Sequence, residues 1–134
     1  MAQVDENKKL VQSLYEAFAR GDIGYILDHV TDDVEWVTEG PQSIPYAGTF
    51  KGRAGAQSFF EKLSAVEGGK VIAQELIAAE DQVVGLGRFA GTVRTTKKKI
   101  DSAIAHVFTI RGGKVSRWLG YADTARVAEA FSAR

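Results

Sequence analysis

Apolar residues at Leu10, Val11, Leu14, Tyr15 and Phe18 recur at i, i+1, i+4, i+5 and i+8. That is one stripe at a period of 3.6, and it predicts an amphipathic helix. Asp5 is placed to cap its start and Gly21 to end it. Asp22 can cap a second, short helix carrying Ile23, Ile26, Leu27 and Val30. The pattern then changes to alternation. Residues 33–38 read as a strand with Val34, Trp36 and Thr38 on one face. Residues 39–52 hold Gly40, Pro41, Pro45, Gly48 and Gly52, the chemistry of a loop. Tyr46 and Phe50 within it suggest a short hairpin or a packed lid. A third helix is expected from about Arg53 to Glu67, with Phe59, Phe60 and Leu63 inward, ended by Gly68-Gly69.

The second half reads as strands at 70–79, 82–96, 100–111 and 114–122, joined by short connections that make neighbours antiparallel. Arg111-Gly112-Gly113 is the clearest hairpin signal. Asp123 is placed to cap a last helix carrying Val127 and Phe131. Helices early and strands late predict an α+β domain: a curved antiparallel sheet with helices on one face.

Strand parity divides the sheet. Val84, Leu86, Arg88 and Ala90 share one face of their strand, and Val83, Gly85, Gly87, Phe89 and Gly91 the other. In the next strand Ile104, His106 and Phe108 oppose Ala103, Ala105 and Val107. Large side chains suit a concave face around a cavity, and small ones suit apposition to another flat surface. This reading puts Arg88, His106 and Leu86 inside. It puts a homodimer contact, built on Gly85, Gly87, Ala103 and Ala105, on the convex side. Trp118 and Gly120 share parity in the last strand.

Composition narrows the function classes. The 134 residues indicate one domain over 1–134, long enough for a core without staples. Lys+Arg and Asp+Glu are each 17, so there is no basic excess of the kind nucleic-acid modules carry. With no Cys there is no disulfide framework, thiolate metal site or cysteine nucleophile. No apolar run approaches the roughly 18 residues of a membrane span. The N-terminus carries no secretory pattern. A cytoplasmic protein with no cofactor, no metal, no nucleic-acid partner and no membrane partner is the expectation.

Several stretches then resemble a known family. They are Thr31-Asp32-Asp33-Val34-Glu35-Trp36, Gly40-Pro41, and Tyr46-Ala47-Gly48-Thr49-Phe50-Lys51-Gly52-Arg53. The run Ala105 to Val115 and the segment Tyr121-Ala122-Asp123-Thr124 belong with them. Together they resemble the SnoaL-like, ketosteroid-isomerase-related branch of the nuclear transport factor 2-like superfamily, over nearly the whole chain. The resemblance implies a cone-shaped α+β barrel of NTF2-like or cystatin-like form, with the sheet wrapped around the N-terminal helices and a deep apolar pocket. It also implies dimers through the sheet. The superfamily includes isomerases, polyketide cyclases, epoxide hydrolases and members without catalysis, so the fold does not carry the function.

The family's catalytic sets transfer incompletely. The isomerases' helix tyrosine falls by spacing on Leu14; Tyr15 is one residue off and is expected to face elsewhere. Their general-base aspartate falls near Thr38–Glu39, and their second oxyanion donor falls on His106. The epoxide-hydrolase pattern keeps Arg88 but finds Ala90 and Gly120 where it has aspartates, and the cyclases' aspartate also falls near Gly120.

The candidate site follows from both lines of reasoning. His106 is the candidate acid/base or oxyanion donor, because imidazole titrates near neutral pH. Arg88 is the candidate anion-orienting group; the alternative is an internal ion pair with Glu35, Glu39 or Glu75. Trp36, Thr38, Tyr46, Phe50, Phe59, Leu63, Leu86, Ile104 and Trp118 are the expected pocket residues. Glu39 is either a base at the mouth or a solvated loop acid, Asp123 a helix cap, and His29 a surface residue. The function expected is binding of a small apolar molecule, with isomerase-, cyclase- or hydrolase-type chemistry on a carbonyl-bearing or polycyclic substrate. The alternative is a non-catalytic ligand sensor or protein-interaction module.

Overall fold

The stripe at Leu10 to Phe18 does form a helix, α1 (Ala2–Ala19), in a computed structural model that describes residues 2–133. The helix begins earlier than its polar residues suggested. Asp5 therefore lies in the first turn rather than at the cap, where a carboxylate still favours the positive end of the helix dipole. Asp22 caps α2 (Ile23–Leu27), accepting from the Tyr25 N–H at 3.0 Å. Val30 leaves that helix and opens β1 (Val30–Thr38). The loop expected after β1 contains β2 (Gly48–Lys51), which folds back antiparallel on β1 and leads into α3 (Gly52–Leu63). The remaining elements are β3 (Val66–Ala79), β4 (Gln82–Val93), β5 (Lys99–Arg111), β6 (Lys114–Ala122) and α4 (Thr124–Phe131). Gly68 and Gly69 do not stop α3. They lie inside β3, where the register shifts between Glu67 and Lys70.

The six strands form one curved sheet in the order β2-β1-β6-β5-β4-β3. Its pairs are antiparallel except β1 with β6, which run parallel. Short connections dictate direction only between consecutive strands, and β1 reaches β6 through α3 and four intervening strands. The sheet is therefore mixed, where antiparallel pairing throughout was expected.

The helices cover the concave face. Val11, Leu14, Val34, Trp36, Phe59, Val83, Ile104, Phe108 and Trp118 are buried in a single core there. The parity of β5 is as read: His106 and Phe108 point inward. That of β4 is reversed. Val83, Gly85, Gly87 and Phe89 are the buried set, while Val84, Leu86, Arg88 and Ala90 lie outside. Register fixes this, because Gly85 stands opposite His106 and Leu86 opposite Ala105. Side-chain size misled because the inner glycine is needed by α1: a Cβ on Gly85 would fall on the Tyr15 hydroxyl. No helix among the described residues is long and apolar enough to cross a membrane.

Candidate functional site

Between the helices and the concave face lies a cavity of about 110 Å³. Trp36 and Trp118 sit side by side on the parallel strands β1 and β6, and their indoles stack at 4.8 Å and 14°. Phe59 closes on both, 5.9 Å from Trp36 and 5.4 Å from Trp118, from the inward face of α3. The wall is therefore a rigid aromatic surface. Its exposed lining residues, Glu39, Tyr121 and Ala122, gather where β1 and β6 end together, which locates the mouth.

His106 lines this cavity and is 8% exposed. Its Nδ1 lies 2.8 Å from the Tyr15 hydroxyl, and its ring is 4.8 Å from that of Trp118. Burial pushes the His106 imidazole down to about 3 and raises the Tyr15 phenol well above its ordinary value. Both groups are thus neutral across the physiological range. A neutral imidazole has one donor and one acceptor nitrogen. Tyr46, buried nearby, is pushed up to about 12 by the same loss of solvent.

The row of residues across the sheet explains how the pair is housed. Thr38, Gly120, His106 and Gly85 are register partners on β1, β6, β5 and β4. His106 is flanked by glycine on both sides. The space above Gly85 takes the Tyr15 hydroxyl, and the space above Gly120 takes the Trp118 indole, whose ring a Cβ there would strike. The aspartate that the cyclases and epoxide hydrolases carry near this point has no room while Trp118 lies so.

Of the other expected residues, Trp36, Thr38, Tyr46, Phe59, Leu63, Ile104 and Trp118 line the cavity. Phe50 does not; it packs against Phe59, 6.0 Å between ring centroids, away from the lumen. Leu86 is on the outer face. Arg88 is corrected most sharply. It is a convex-face residue with its Nε 2.9 Å from Asp101, not from Glu35, Glu39 or Glu75, and it takes no part in the cavity. Glu35 pairs instead with Arg117 at 3.6 Å. Since Arg88 and Ala90 both face out, the epoxide-hydrolase pattern does not map onto this strand's inner face. Asp123 caps α4, accepting from the Arg126 N–H at 3.2 Å. His29 lies half-buried on α2's flank, bonded to the Tyr25 carbonyl at 2.7 Å.

Tyr15 is the cavity residue that sequence spacing missed. Leu14 and Tyr15 both line the cavity, because the inward stripe of α1 is broad enough to include both. The glycine opposite His106 was the available signal. Among the described residues, no cluster of His, Asp and Glu could hold a metal ion.

The SnoaL-like domain model matches residues 11–118. No curated protein matches the chain in sequence. Solved structures do. An NTF2-like protein from Burkholderia xenovorans LB400 is 27% identical, with 96% of this chain and 98% of that one covered at a TM-score of 0.84. TerC, co-crystallised with polyporic acid, is also 27% identical, with 94% and 98% covered at 0.84. A protein with a cystatin-like fold from Xanthomonas campestris, at 21% identity, shares the fold over 96% and 98% at 0.83. The match over most of the length, together with the helix-wrapped sheet, shows that this chain belongs to the SnoaL-like domain family of the NTF2-like superfamily.

Proposed function

We propose that the protein binds a small, uncharged, largely apolar molecule in this cavity, with one polar atom of the ligand held by His106. The observation that carries the reading is the Tyr15–His106 hydrogen bond, 2.8 Å long, inside an aromatic enclosure. In this reading the Tyr15 O–H donates to Nδ1, and the neutral ring carries its proton on Nε2. That Nε2–H, on a ring that lines the cavity, is a donor for which a ligand carbonyl supplies the acceptor. The co-crystal of TerC with polyporic acid supports small organic molecules as occupants of such chains.

The same pair supports a catalytic form of this reading: isomerase-, cyclase- or hydrolase-type chemistry in which Nε2–H faces an oxygen that gains negative charge. Glu39 is the one acid among the described lining residues, and it sits at the mouth. Proton abstraction deep in the cavity therefore has no carboxylate to use, and binding is the reading favoured here.

We further propose a homodimer through the convex sheet face. The expected Gly85 and Gly87 are not part of it. Ile72 and Ile77, 58% and 47% exposed, join Val84, Leu86, Ala105 and Val107 in an apolar face, of the kind that marks interaction sites.

Titration with 1-indanone, followed by tryptophan fluorescence, tests the binding reading. Trp36 and Trp118 report because they form the wall. Saturable quenching in the wild type, weakened about tenfold in His106→Ala, is expected. Equal affinity in both proteins contradicts it.

A further inference from the structure

Two polar atoms of the cavity's β1 wall are sealed from solvent and have no hydrogen-bond partner: Trp36 Nε1 and Thr38 Oγ1. Both residues line the cavity, and they stand two positions apart on the same face of one strand. Trp36 is 4% exposed. Folded proteins pair nearly all buried polar groups, and leaving one unpaired costs about 1–3 kcal/mol. Two together in one wall call for a partner.

We propose that Trp36 and Thr38 form a second ligand anchor, distinct from His106, that takes a neutral carbonyl oxygen. The proposal rests on the ligand-binding reading above and names the chemistry of the ligand's other end. An indole N–H only donates, so the ligand atom it meets must be an acceptor. A hydroxyl beside it can donate to the same oxygen or to a second one. The acceptor is uncharged, because the described lining contains no lysine or arginine to balance an anion. Glu39 at the mouth repels anions as well. Solvent does not reach either atom, so a ligand that bonds them displaces the side chains that cover them.

The sheet gives the spacing. Thr38 and His106 are in one register row with Gly120 between them, so their strands are two apart. Neighbouring strands are about 4.8 Å apart, which puts the two anchors on the order of 10 Å from each other at the backbone. The Trp118 indole lies between. A flat, ring-bearing molecule with oxygen atoms at opposite ends fits both anchors. A ligand with one oxygen meets one anchor at a time, so a probe of both anchors carries an oxygen at each end.

The test compares 1,4-diacetylbenzene, which carries a carbonyl at each end of a flat ring, with 1,4-diethylbenzene, which carries none. The sequence has two tryptophans, so two indole N–H resonances are read by NMR, and Trp36→Phe assigns them. Saturation with 1,4-diacetylbenzene is expected to move the Trp36 indole proton downfield, and saturation with 1,4-diethylbenzene is not. Thr38→Val is expected to reduce the preference for 1,4-diacetylbenzene over 1,4-diethylbenzene about fivefold. If both compounds bind and the Trp36 indole responds alike to each, the anchor is overturned and the ligand pocket stands. If neither binds, both fall.

Discussion

The Tyr15 hydroxyl and the Gly85 backbone share one space. The hydroxyl that bonds His106 occupies the position a Cβ on residue 85 would take. Helix and sheet are fitted to each other where Tyr15 meets His106. Gly85→Ala is therefore expected to push Tyr15 off His106, with an overpacking cost of about 1–3 kcal/mol. Urea unfolding measures the cost, and weakened 1-indanone binding should accompany it.

Tyr15→Phe removes the hydroxyl without changing the packing volume much. His106 Nδ1 is then buried without its partner. A loss of about 1–3 kcal/mol in unfolding free energy is expected, with an unchanged denaturant slope. A change of only a few tenths would mean that the bond contributes little.

The pH dependence has a definite sign. His106 is pushed from 6.5 down to about 3 in the folded protein, so between those values the unfolded chain binds a proton that the native state refuses. Stability from this group is complete above pH 6.5 and falls as pH drops toward 3, by up to ~1.4 kcal/mol per pH unit. His106→Asn should flatten the part of the curve between pH 6.5 and 5, above most carboxylate titration. Chemical denaturation across that range reads it directly.

Arg88→Ala provides the contrast. Its ion pair with Asp101 is on the convex surface, with side chains 42% and 67% exposed. Loss of such a pair costs below about 1 kcal/mol. Unchanged 1-indanone affinity is expected, and a tenfold loss would return Arg88 to the site.

The dimer is tested on the same face. Sedimentation at micromolar concentration should give a dimer for the wild type and a monomer for Leu86→Arg, whose side chain points outward. A monomeric wild type contradicts the proposed interface.

Much of this was legible in the residues. The stripe from Leu10 to Phe18, the Arg111-Gly112-Gly113 turn and the Asp123 cap specified their elements through local chemistry alone. His106 was placed correctly because β5 alternates cleanly between large and small. The β4 strand failed for a physical reason. Its inner face is lined with glycine where the Tyr15 hydroxyl and the bulged β3 backbone approach, so small residues marked the crowded side rather than a flat one. That reversal moved Arg88 and Leu86 to the wrong face. Tyr15 was lost by counting from Gly21 to a single helix position, although a helix presents several adjacent residues to a curved sheet. The parallel pairing of β1 with β6 leaves no trace in any local segment, because it depends on how distant strands meet.

Long-range ¹H–¹⁵N correlation of the His106 imidazole reads whether the ring is a neutral donor open to a ligand acceptor. At pH 7 the account predicts a neutral ring protonated on Nε2, with Nδ1 accepting from Tyr15, and a marked shift of Nε2 on saturation with 1-indanone. A ring that is protonated on both nitrogens at pH 7, or one whose Nε2 signal is indifferent to the bound ligand, would contradict it.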